Sequence, residues 1–155
     1  MPPKCKFTKS EIVGAALYIT REAGIGALTA RALAARLGCS AKPIFGLFKN
    51  MEEVQREVLA EANRLYQSYL REDMEKGEYP AYKASGMAYI RFAKEEKELF
   101  KLLFMRDRSR ENVEENREEV RPQLDMIQKS LGLDEEDAYL FHMEMWIFVH
   151  GIATM

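Results

Sequence analysis

Seven residues near the start of the chain carry side chains suited to one kind of chemistry. Thr29, Arg31, Ser40, Ala41, Lys42, Phe45 and Lys49 combine long cationic donors, small hydroxyls and one aromatic ring. Such a set is suited to gripping phosphates and reading base edges. Bond-making groups are missing in recognisable form. The sequence has no HExxH, no phosphate-binding glycine loop, no CxxC and no Ser/His/Asp order with a nucleophile turn, so no enzyme is expected. Cys5 and Cys39 have neither paired spacing nor a nearby histidine, which argues against a disulfide framework and a zinc site and fits a reducing cytoplasm. His142 and His150 stand eight apart on one helix, too far along its axis to share a metal without a third ligand, and are expected to be hydrogen-bonded histidines. No cofactor is expected.

The elements that position the basic set are short helices. Thr29 is placed to cap a helix whose inward face is Leu33, Ala34 and Leu37, and Gly38 supplies its left-handed stop. Cys39 is expected to be buried in the turn, with Ser40 capping a second helix from Ala41. Two capped helices around a glycine turn follow the helix-turn-helix plan, in which the second helix enters the DNA major groove. Before them, Thr8 and Glu11 form a capping box for a helix that buries Ile12, Ala15, Ala16 and Ile19 and stops at Gly24. Charge agrees with this placement. Residues 1–50 hold eight Lys or Arg and two Glu, whereas residues 51–155 hold 15 Lys or Arg and 23 Asp or Glu. A basic head on an acidic body presents one face to a polyanion and keeps the other away.

Over roughly the first 60 residues these features resemble the TetR family of transcriptional regulators. The resemblance rests on Gly24, Thr29, Gly38-Cys39-Ser40, Ile44-Phe45-Gly46-Leu47-Phe48 and Met51-Glu52-Glu53-Val54. Phe45, Leu47 and Met51 stand where the family usually has the Tyr, His and Lys that hold phosphates. Trp146 with His150-Gly151 is similar to the Trp-His-Gly signature of one C-terminal subgroup. The resemblance implies a homodimeric regulator, a repressor acting on a double-stranded DNA operator, with an effector cavity in its body. It also implies one more helix after Met155, so the chain is expected to be C-terminally incomplete.

The body reads as helical throughout. A long helix starts at Asn50, carries Val54, Val58, Ala62, Leu65 and Tyr69 on one face, and ends before Gly77 and Pro80. The next, about Ala81–Lys94, is apolar nearly all round, which predicts a central helix; a shorter one covers Lys97–Met105. Arg106–Glu119 is almost wholly charged and reads as a mobile connection or a solvated helix start. The seam Val120, Leu124, Ile127, Leu131 marks a helix ended by Gly132, kinked at Pro122 or beginning near it. Asp134 caps the last helix, where one stripe (Phe141, Met145, Phe148, Ile152) is assigned to the dimer interface and another runs through Tyr139, Met143, Trp146 and His150. Tyr66, Phe92, Phe100, Phe104, Met126, Met143 and Trp146 are the expected walls of a pocket for a small hydrophobic effector. With 155 residues, 47% of them hydrophobic, and no long apolar run, no membrane partner is expected. The expected architecture is all-α: a helix-turn-helix DNA-binding domain over 1–50 and a helical-bundle effector and dimerisation domain over 51–155. The alternative is a helical ligand- or partner-binding protein with weakened DNA binding.

Overall fold

The computed structural model describes residues 7–105 and 117–155, and every regular element among them is a helix. The elements are α1 (Lys9–Ala23), a single 3-10 turn (Ile25–Ala27), α2 (Ala30–Leu37), α3 (Lys42–Phe45), α4 (Met51–Glu75), α5 (Ala81–Glu95), α6 (Lys97–Phe104), α7 (Arg121–Leu131) and α8 (Glu135–Thr154). The all-α class expected from the sequence is the one observed. They fall into two compact units. One takes α1 to α3, α4 through Leu65, and α6; the other takes α4 from Tyr66, α5, α7 and α8.

In the first unit, the ends of α1 and α2 are set by residues anticipated from sequence. Thr8 accepts from the Glu11 amide at 3.2 Å while Glu11 accepts from the Thr8 amide at 2.7 Å, a reciprocal capping box. That backbone hydrogen bond, then the Thr8 hydroxyl, holds the Glu11 carboxyl below its ordinary range. Gly24 ends α1 at φ +81°, where an L side chain would be strained, and Glu98 Oε2 lies only 2.8 Å from the position of an added Cβ. Thr29 caps α2 by accepting from the Ala32 amide at 3.1 Å. At the other end, Gly38 at φ +67° makes a Schellman stop, with the Gly38 and Cys39 amides donating to the Ala35 and Ala34 carbonyls. Ile12, Ala16, Leu33, Ile44, Phe48, Val54 and Val58 meet in one buried cluster.

Two expectations here need correction. Cys39 is half-buried, with its amide donating to the Ala34 carbonyl. Ser40 caps nothing: the N-cap of α3 is Ala41, with no side-chain bond. The reason is Pro43, which would occupy the third helical position after Ser40 and has no N–H to give. α3 is consequently a single turn of four residues, shorter than a usual recognition helix.

One ion pair binds α6 to α1. Arg21 Nε donates to Glu96 Oε2 at 2.8 Å, and the second guanidinium nitrogen meets Oε1. The two partners are unequally placed: the Arg21 side chain is 47% exposed and the Glu96 side chain 8%.

In the second unit, α5 buries Ala84, Ser85, Ala88, Tyr89, Phe92 and Ala93. It is less enclosed than its composition predicts, since Met87 is exposed. α7 begins at Arg121 with Pro122 in its first turn, so proline starts the helix rather than kinking it. Leu124 and Ile127 are buried, but Leu131, expected in the same seam, is exposed beside the terminal Gly132. Asp134 caps α8 through the Asp137 amide at 2.9 Å, as its spacing predicts. The charged stretch lies outside the described residues over 106–116. Arg117 chelates Glu136 with two bonds of 2.9 Å and stacks over Tyr139.

Removing Arg21 strands a buried carboxylate, whereas neutralising Glu96 leaves a largely solvated guanidinium. Arg21→Met is therefore expected to cost about 1–3 kcal/mol, and Glu96→Gln less. Urea unfolding of both variants and the double variant checks this: the double variant should be more stable than Arg21→Met alone.

Candidate nucleic-acid interface

The helix-turn-helix segment sorts its side chains into two sets. Leu33, Ala34, Ile44 and Phe48 point into the core, and Thr29, Arg31, Ser40, Lys42, Phe45 and Lys49 are exposed, with Ala41 half-buried. The seven expected contact residues thus share two helices and one turn, with their anchoring neighbours interleaved among them. α3 alone cannot hold this arrangement, since one turn lacks the hydrogen bonds to offset its own ordering. Its stability comes from Ile44 and Phe48, at 0% and 2% exposure. Each burial of that size is worth about 1.5–3 kcal/mol.

The start of α4 locks the exit of the turn. Asn50 Oδ1 accepts from the Glu53 amide at 2.9 Å, and Glu53 Oε2 accepts from the Lys49 amide at 2.7 Å. The Lys49 amide is the largest influence lowering the Glu53 carboxyl, with burial opposing it and Lys9, Lys49 and Arg56 adding charge attraction. Lys9 also lies over the Phe48 ring, 5.1 Å from its centroid. Neither Arg31 nor Lys42 forms a salt bridge among the described residues, so both charges face solvent. Two features of this surface were not anticipated. Arg36 stacks on Tyr18 with its guanidinium carbon 3.3 Å from the ring centroid, and Leu47 joins Phe45 as an exposed apolar side chain. Met51 is partly buried and packed against the core. An apolar side chain there contributes to the head's interior.

The residues expected to line an effector pocket do not all share one unit. Phe100 and Phe104 lie in the first, with ring centroids 5.2 Å apart. Tyr66 and Phe92 lie in the second, edge to face at 5.3 Å, along with Met126, Met143 and Trp146, all three half-buried. Burial raises the Tyr66 hydroxyl well above the ordinary tyrosine range. An open cleft of about 200 Å³ is lined instead by Asp73, Lys76, Glu78, Tyr79, Met87 and Arg91. Three of its charges are mutually engaged: Arg91 donates twice to Asp73, and also to Glu72 beside the cleft, and Lys76 pairs with Asp73.

On α8, Phe141 turns toward Tyr82, ring centroids 5.9 Å apart, and Met145 is half-buried, while Phe148 is 64% exposed and Ile152 is exposed too. Leu140 and Ile147, which the sequence reading left out, lie on the same open side as Phe148. Two tyrosine–histidine pairs hold the opposite side to α5: Tyr82 Oη lies 3.1 Å from His142 Nδ1, and Tyr89 Oη lies 2.8 Å from His150 Nδ1. Trp146 stacks on His150 at 4.8 Å. Burial pushes the Tyr82 hydroxyl up to about 12 and the His142 imidazole below its ordinary value.

Among the described residues, no group of three or more His, Cys, Asp or Glu is placed to hold a metal ion. No helix among them is long and apolar enough to cross a membrane. Residues 82–155 match a protein-family model described as "Tetracyclin repressor-like, C-terminal domain". No curated protein matches the chain.

His142 gives the body a pH signature. Its folded-state value lies below the ordinary 6.5, so on acidification the unfolded chain takes up a proton before the folded chain does. Stability should be full above pH 6.5 and fall as pH drops below it. The lowered carboxyls Glu11, Glu53 and Glu136 act only from 4.5 downward. Thermal melts from pH 7 to pH 5 are expected to show this loss in the parent and a smaller one in His142→Gln, which retains an acceptor for Tyr82.

Proposed function

We propose that this chain is a TetR-family transcriptional regulator that binds a specific DNA operator as a homodimer, and that it acts as a repressor released by a small apolar effector. The observation that carries the reading is the head: a helix-turn-helix whose core side chains bury and whose cationic side chains, Arg31 and Lys42 above all, are left to solvent. The similarity of residues 82–155 to tetracycline-repressor-like C-terminal domains supports it from the other end of the chain. So does the stacking of Trp146 on His150 next to Gly151, which favours the Trp-His-Gly subgroup. The function is binding rather than catalysis, in the cytoplasm.

The second subunit is supported by α8. Leu140, Ile147, Phe148 and Ile152 leave an apolar stripe exposed on a helix already packed on its other side. A copy of the same stripe across a two-fold axis would cover it. Two heads so paired would present their α3 turns to successive major grooves, about 34–36 Å apart. An effector would act by binding one arrangement of the body better than another, and only to the extent of that difference.

A second reading, a helical ligand- or partner-binding protein with weakened DNA binding, is favoured by one observation. Phe45, Leu47 and Met51 offer no hydrogen bond where the resemblance implies phosphate holders.

Two measurements test the proposal. Lys42→Ala should weaken binding to a selected operator by about 1–3 kcal/mol and relax its sequence preference; equal losses on operator and random duplexes would make Lys42 a phosphate contact only. Phe148→Glu would bring two carboxylates together at the two-fold axis, so sedimentation should show dimers for the parent and monomers for the variant. A parent that binds DNA as a monomer contradicts the paired-head mechanism.

A further inference from the structure

We infer that Phe45, supported by Leu47, reads thymine methyl groups in the operator. The inference rests on the DNA-binding reading above and goes beyond it by naming the chemical group recognised. Within the segment from Lys42 to Lys49 the apolar side chains divide cleanly. Ile44 and Phe48 are in the core, whereas Phe45 is 45% exposed and Leu47 37% exposed. The core therefore does not account for the second pair. Both belong to the one-turn helix α3 and its exit, and both lie between two exposed lysines, Lys42 and Lys49. The flanking charge selects a polyanion as the occupant. A phenyl ring and an isobutyl group neither donate nor accept hydrogen bonds, so phosphate oxygens and polar base edges gain nothing from them. The major groove displays one apolar group, the thymine C5-methyl, and apolar side chains are its partners. Gly46, between them, adds no side chain that would hold the backbone away from the groove.

Replacing thymine by deoxyuridine deletes that methyl and leaves every hydrogen-bonding group in place, which makes the inference directly testable. Duplexes are first recovered from a random-sequence pool by the full chain, and each thymine of the recovered site is then replaced singly by deoxyuridine. The parent should lose about fourfold in affinity at one or two positions per half-site, the equilibrium worth of one buried methyl. Phe45→Ala should bind the thymine duplex more weakly and be indifferent to the replacement at those positions. Leu47→Ala should diminish the sensitivity without abolishing it. Both side chains are exposed, so unchanged thermal melts are expected and would separate lost recognition from lost folding. Recovery of a site at which every replacement is neutral, or at which Phe45→Ala remains as sensitive as the parent, overturns the methyl inference and leaves DNA binding standing. Failure to recover any preferred site overturns the DNA-binding reading and this inference with it.

Discussion

A helix of one turn has no stability of its own, and the surface around Lys42 exists only because Ile44 and Phe48 are fixed in the interior of the head. The DNA-binding reading depends on that constraint. The direction in which Lys42, Phe45 and Leu47 project is set by side chains one to three residues away that project oppositely. Those in turn are held by Ile12 and Ala16 of α1, Leu33 of α2, and Val54 and Val58 of α4. The same dependence explains why the turn tolerates an uncapped start at Ala41. Burial of two large apolar groups outweighs the roughly 1 kcal/mol that a capping hydroxyl supplies.

The body follows a different logic, in which several enclosed polar groups meet as hydrogen-bonded pairs, Gln123 Oε1 being a buried exception. Tyr82 with His142 and Tyr89 with His150 bind α5 to α8, and Tyr69 donates to Glu95 at 2.7 Å. Arg91 gathers Glu72, Asp73 and Glu95 while lying over the Tyr69 ring at 4.1 Å. Such networks fix relative helix positions more sharply than apolar contact does, because misplacement leaves buried groups unpaired. A helix with tyrosine–histidine pairs on one side and Phe148 open on the other is committed to its body packing and still free to accept a second surface.

Local signals were the legible ones. Thr8 with Glu11, Gly24, Thr29, Gly38 and Asp134 each set a helix end that recurs in the structure, because capping depends on neighbours within four residues. Ser40 misled for the same reason: its cap was lost to Pro43, a local effect that counts against it once the helical positions are numbered. What escaped was partnership across distance. Nothing near Arg21 or Glu96 in sequence announces the other, and the two tyrosine–histidine pairs join residues 60 and 61 apart. The sides of α8 were divided differently for a related reason. Its residues are apolar on several faces, so periodicity could not show that Phe141 meets Tyr82 while Leu140 and Ile147 face outward.

The claim at the centre of this account is that the basic head meets a phosphate backbone. The salt dependence of binding measures that contact independently of which sequence is read, since each neutralised phosphate contributes about −0.9 to the log–log slope. For the full chain titrated against a duplex at increasing salt, Arg31, Lys42 and Lys49 from each of two heads, six cations in all, predict a slope of about −5. A slope near zero, or binding no tighter at low salt than at high, would contradict it.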